Sequence, residues 1–213
     1  MSSNATVLKP RKSPVQARSA ATVEALHTAT IQVLMRDGLS RCTTTRVAER
    51  AGMSVGSLYQ YYPNRDALLA AVMEKHLDGV ATAVERACRD YEGKPVAEMA
   101  AGLVAAFLAA KLRDPEESKS LYAVAGERGG AELVAHVHQR TVKATTAMLA
   151  SAADARFYDP AVTAVIVLGS LVGPVRAVLE GYTPKGFEVG LEEQLVLLVK
   201  AYLEAHRRPL SVR

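Results

Sequence analysis

Residues 44–69 read Thr-Thr-Arg-Val-Ala-Glu-Arg-Ala-Gly-Met-Ser-Val-Gly-Ser-Leu-Tyr-Gln-Tyr-Tyr-Pro-Asn-Arg-Asp-Ala-Leu-Leu, and this stretch decides the fold. Thr44 suits a helix N-cap, because its hydroxyl can accept from an orphan amide of the first turn. Val47, Ala48 and Ala51 then recur at helical spacing on one face. Gly52 stops this helix, since it tolerates the positive φ of a tight exit. Ser54 caps a second helix, which Pro63 ends. Asn64 caps a third, with Asp66 in the first turn where the helix dipole favours an acid. Helix, short glycine turn and helix is the layout of a helix-turn-helix reader of DNA.

The two faces of the second helix sort accordingly. Leu58, Tyr61 and Tyr62 lie three and four apart and can pack inward. Val55, Gly56, Tyr59 and Gln60 fall opposite. Gly56 removes a side chain, so backbone can approach a phosphate. Tyr59 offers a hydroxyl to phosphate, and Gln60 can pair with adenine in the major groove. Ser54 and Arg65 suit flanking phosphates, which position a reader without specifying sequence. The candidate DNA contacts are Thr44, Arg46, Ser54, Val55, Gly56, Tyr59, Gln60, Tyr61 and Arg65.

This stretch resembles the DNA-binding domain of the TetR family of one-component transcriptional regulators. The matching features are the Thr-Thr pair, Val-Ala-Glu-Arg-Ala-Gly-Met-Ser, Gly-Ser-Leu-Tyr-Gln-Tyr-Tyr-Pro-Asn-Arg and Ala-Leu-Leu, within about residues 17–77. Val55 stands where many members carry Lys, so one phosphate contact is in question. Tyr62 stands where Phe is usual, so a buried hydroxyl needs a partner or water. The resemblance implies nine helices. Three form the reader, and six behind it bind a small effector and hold a dimer together.

Charge placement agrees with a reader at the N-terminal end. Residues 1–78 hold ten basic and six acidic side chains, and residues 79–213 hold sixteen of each. The whole excess of +4 therefore sits with the reader. Residues 1–16 are rich in Ser, Pro and Lys/Arg, and are expected to be a disordered basic arm. Lys9, Arg11, Lys12 and Arg18 suit DNA backbone or a minor groove, or else a solvated tail. Only Cys42 and Cys88 are present, so no disulfide framework is implied and a reducing cytoplasm fits. No apolar signal segment opens the chain.

The periodicity predicts a first helix from about 17 to 37, stopped by Gly38. A fourth runs from about 65 to 90 and is long enough to belong to two domains. The fifth spans about 95–113 with Pro95 at N1, and the sixth about 115–126. The seventh spans about 131–153. Asp159 and Pro160 open an eighth helix, 161–179, whose one charge is Arg176. It is apolar enough to be weighed as a membrane span. Small residues, Pro174 and its place after soluble helices favour a helix buried on all sides. The ninth is expected at 188–206. Two such apolar helices exceed what one small domain covers, so 161–179 and 188–206 are expected to form a homodimer's four-helix bundle. The predicted fold class is all-α. The organisation is an arm at 1–16, a helix-turn-helix domain at 17–64 and an effector-binding and dimerisation domain at 65–213.

No catalytic or metal constellation emerges. His136 and His138 project about 200° apart on a helix and cannot share one metal. No enzyme activity, cofactor or membrane partner is expected. Met99, Phe107, Tyr122, Val137, Met148 and Val172 are candidate apolar walls of an effector cavity, with Arg140 and Arg176 as polar fixing points. For Arg176, pocket, interface and surface stay open. The expected function is a cytoplasmic, ligand-responsive transcriptional regulator, most often a repressor. It would bind a palindromic duplex operator as a homodimer and be released by a small apolar or amphipathic effector. The alternative is an all-helical protein that binds small molecules or lipids without a transcriptional role.

Overall fold

The computed structural model describes residues 17–126 and 129–208, so the basic arm with Lys9, Arg11 and Lys12 lies outside the described residues. Nine α-helices occur among them: α1 Ala17–Asp37, α2 Thr44–Arg50, α3 Val55–Tyr59, α4 Arg65–Asp90, α5 Val96–Lys111, α6 Pro115–Ala125, α7 Gly130–Ala150, α8 Pro160–Glu180 and α9 Leu191–His206. The fold is all-α, apart from a two-residue antiparallel ladder that the sequence did not suggest. In it β1 (Arg156–Phe157) pairs with β2 (Arg207–Arg208), Arg156 opposite Arg208.

Among these residues the chain divides into two compact units. The first runs to Leu77 and takes in 116–135; the second holds 78–115 and the chain from His136 onward. The division falls inside α4, after the first residue of α6 and inside α7. The expected boundary at residue 64 coincides instead with the start of α4.

In the first unit α2 packs on α1 and α3. Leu26, Val33, Val47, Leu58, Tyr62 and Leu68 form its core, joined by Leu121 and Val124 of α6. Arg65, at the start of α4, fastens the α1–α2 connection. Its Nε donates to the Cys42 carbonyl at 2.7 Å and its Nη2 to the Leu39 carbonyl at 2.8 Å. The Cys42 carbonyl thereby gains a donor in a part-buried corner, and the Leu39 carbonyl, which also accepts from the Cys42 amide, gains a second.

In the second unit α5 packs against α9 and α8. Pro95 has no side-chain oxygen to cap α5. The Val96 amide instead donates to Asp154 Oδ1 at 2.9 Å, 58 residues away. Asp159 caps α8 locally, accepting from Ala161 and Val162 at 2.9 and 3.0 Å, and Gly181 at φ 77° ends it. Pro174 sits inside α8 without ending it.

One helix among the described residues, α8, is long and apolar enough to cross a membrane. It is not buried on all sides within the chain. Thr163, Ala164, Val167, Leu171 and Val175 face inward, whereas Val162, Val165, Ile166 and Val172 are exposed.

Gly102 of α5 is required by packing. A Cβ there would run into the Tyr91 ring. Gly102→Ala should therefore lower stability by about 1–3 kcal/mol, seen as a drop in thermal midpoint. Adding Tyr91→Ala should make the pair markedly non-additive, because the obstacle is gone.

Candidate nucleic-acid interface and effector region

The helix-turn-helix is assembled by its caps. Thr43, not the expected Thr44, caps α2: it is extended, and its Oγ1 accepts from the Arg46 amide at 3.3 Å. The Thr44 hydroxyl is thereby released and lies 3.2 Å from the Tyr59 hydroxyl of α3. Three consecutive threonines made the capping residue ambiguous by one position. Gly52 turns the chain at φ 68°. Ser54 caps α3, its Oγ accepting from the Ser57 amide at 3.0 Å. Asn64 caps α4, its Oδ1 accepting from Ala67 at 2.8 Å.

Leu58 and Tyr62 are buried, and Tyr61 is half-buried. Gly56, Tyr59 and Gln60 are exposed on the opposite side, with Ser54 exposed and Val55 half-buried beside them. Gln60 is the C-cap of α3, which ends at Tyr59, four residues before Pro63. An added Cβ at Gly56 would touch only Ser54 Oγ, at 3.7 Å. The fold itself therefore does not require glycine there. Arg46 is exposed on α2, its Nη1 3.3 Å from Asp37 Oδ2. Arg65 is not presented outward as expected, since its guanidinium is engaged by the Leu39 and Cys42 carbonyls. Tyr62 finds its partner in His27 of α1, Oη to Nε2 at 2.7 Å. Burial pushes the tyrosine up to about 12.

The expected effector residues differ in unit and in burial. Met99, Phe107 and Met148 are buried in the second unit and Val137 is half-buried there, whereas Tyr122 lies on α6 in the first. Val172 is on the exposed face of α8. Arg176 also points outward, its Nε 2.9 Å from Glu180 Oε1 one turn on. Arg140 is held by both oxygens of Glu85, at 2.9 and 3.0 Å, and by Asp78. These ion pairs join α7 to α4 and raise the guanidinium's proton affinity further. Sequence reading passed over Lys111 of α5, which is buried. Its desolvated ammonium is pulled down to about 8. A lysine in the last turn of a helix ordinarily reads as solvated, so no local signal marks it.

Two family models match the chain. "Bacterial regulatory proteins, tetR family" covers residues 26–72, and "Tetracyclin repressor-like, C-terminal domain" covers residues 95–203. A search of curated proteins finds no match. Solved structures share the fold. SmeT, the repressor of the Stenotrophomonas maltophilia multidrug efflux pump SmeDEF, is 19% identical over 87% of this chain and 90% of its own, with a TM-score of 0.68. A SmeT–triclosan complex is 21% identical over 91% and 97%, at 0.67. The fatty acid degradation regulator FadR of Bacillus halodurans is 14% identical over 83% and 97%, at 0.65.

His27 gives the reader unit a pH dependence. Burial, then the nearby Lys75 charge, lowers its proton affinity below the ordinary 6.5, against a smaller opposing pull from Glu24. The unfolded chain then takes up the proton first. Stability from this site is full above pH 6.5 and is lost as pH falls. His27→Gln keeps an acceptor for Tyr62 but cannot titrate. Between about pH 7.5 and about pH 5 the wild type should lose more thermal stability than the variant. Tyr62→Phe should cost about 1–3 kcal/mol at neutral pH by stranding His27.

Proposed function

We propose that this chain, which belongs to the TetR family of bacterial regulatory proteins, is a repressor that binds a palindromic operator as a homodimer and is released by a small effector. Its being a transcriptional regulator of that family is the premise. Operator geometry, dimerisation, effector class and sign of regulation are our reading.

The observation that carries the reading is the outward face of α3. Tyr59 and Gln60 project from a helix whose opposite side, Leu58 and Tyr62, is sealed in the core. Gly56 is the second residue of α3, and a Cβ there would make only an ordinary contact with Ser54 Oγ at 3.7 Å, so packing within the described residues does not call for glycine and we read the call for it as coming from outside. A phosphate backbone pressed against α3 supplies it. Gln60 then reads a base edge, while Tyr59, steadied by Thr44, contacts phosphate.

A homodimer is supported by the second unit's open apolar faces. On α8, Val162, Val165, Ile166 and Val172 are exposed around Gly169 and Gly173, where an added Cβ meets nothing within 4 Å. On α9, Leu197 and Leu198 are exposed. Faces of this kind want a partner, and a two-fold copy of the same helices at 161–179 and 188–206 makes a four-helix bundle. For the effector, the triclosan complex of a structural neighbour supports a small apolar or amphipathic molecule. The second unit's buried Met99, Phe107 and Met148 would serve as its walls.

Gly56→Ala should stabilise the free protein by up to about 1 kcal/mol yet weaken operator binding. A variant that melts higher and binds DNA as tightly as wild type sinks the close-approach argument. Gln60→Ala should cost about 1–3 kcal/mol at one base pair and relax preference there. Ile166→Glu or Gly173→Glu should yield monomers by analytical ultracentrifugation, since pairing would bury an unpartnered carboxylate. Footprints on wild-type protein should show two half-sites about 34–36 Å apart, or a multiple. An effector found by thermal shift should bind more weakly, by about 5–150-fold, when operator is saturating.

A further inference from the structure

We infer that the α1–α2 surface carries a second, sequence-independent DNA contact: an arginine groove that grips the duplex backbone beside the recognition helix. This deepens the operator-binding reading and rests on it. The groove is open, about 460 Å³, and is lined by Arg36, Asp37, Arg41, Arg46, Glu49 and Arg50. Four guanidiniums face two carboxylates, so the lining carries a net positive charge of two.

The arrangement is built rather than scattered. Asp37 lies between two arginines. Arg36 donates to it from Nε at 3.0 Å and from Nη2 at 2.9 Å, and Arg46 from Nη1 at 3.3 Å. The hydrogen bonds from Arg36, and the charges of Arg36, Arg46 and Arg41, hold the carboxyl below its ordinary range, so it stays ionised as the anchor of Arg36 and Arg46. Arg50 is oriented by Gln32, its Nε donating to Oε1 at 2.6 Å. Arg41 has no ion-pair partner within contact distance among the described residues. A guanidinium has five N–H donors, and the bonds to Asp37 and Gln32 take only one or two of those on Arg36, Arg46 and Arg50; phosphate oxygens take such donors in pairs.

Position selects the partner. Arg46 sits on α2 three residues after the Thr43 cap, and the adjacent Thr44 hydroxyl lies 3.2 Å from Tyr59 of the recognition helix. The groove therefore borders the face that reads the duplex, within one compact unit. A duplex lying on α3 brings a run of phosphates past α2, and a regular polyanion complements a positive groove. Every lining side chain but Asp37 is exposed, so nothing inside the unit uses this charge for its core.

The test is a salt titration of binding to operator and to a scrambled duplex of the same length. It compares wild type with Arg36→Gln/Arg41→Gln/Arg50→Gln and with Glu49→Gln. The triple variant should weaken both duplexes alike and make the slope of log K against log salt shallower by about 3. Glu49→Gln removes an acid from the groove and should tighten both, which guards against a variant that merely misfolds. A triple variant that keeps the wild-type slope, while wild type still prefers operator, overturns the groove and leaves the operator reading standing. A loss confined to operator, or a changed ranking of operator variants, also overturns it, because the contact would then carry sequence information. A wild type that binds no duplex takes both readings down together.

Discussion

A helix of five residues cannot hold itself together in water, and α3 is five residues long. Everything exposed on it depends on what its other side buries. Leu58 is fully enclosed and Tyr62, just past the helix, is 1% exposed. Ser54 closes the first turn, so α3 has a cap at one end and an anchor at each side of its exit. Tyr62 is the expensive anchor, because its hydroxyl must be satisfied away from water. His27 satisfies it from the middle of α1. The pair is a joint commitment: removing either member leaves a polar atom buried, and the exit of the reading element is tied to the first helix.

That anchoring was partly legible. Ser54, Gly52, Asn64 and Asp159 announce themselves because each does a local job for which few side chains qualify. Helix α4 was readable at both ends for the same reason. Demands met by distant residues were not. The amide at the start of α5 is served by Asp154, and no spacing rule connects the two. The need of Tyr62 for a partner was visible, but not that His27 would meet it. Nor could Val172 and Arg176 be oriented, because α8 is apolar on every side, and a periodicity argument needs contrast between faces. The structure supplies that contrast through α5 and α9, which cover one side only.

Basic residues illustrate how far charge alone misleads. Arg65 and Arg140 carry the same charge as Arg46, yet both join elements of the fold. Arg65 donates to carbonyls of the α1–α2 connection, and Arg140 ties α7 to α4 through Glu85 and Asp78. A count of arginines cannot separate these roles. Hydrogen-bond bookkeeping can, because a guanidinium whose donors are taken by internal acceptors has little left for an external anion.

Chain connectivity interleaves the two units. The chain passes between the two units after Leu77, Pro115 and Ala135. The first crossing lies within α4 and the third within α7, both unbroken helices of 26 and 21 residues. The second crossing falls at the first residue of α6, whose Leu121 and Val124 complete the core around Leu58 and Tyr62. A segment that belongs in sequence to the C-terminal half is therefore part of the packing that keeps α3 folded.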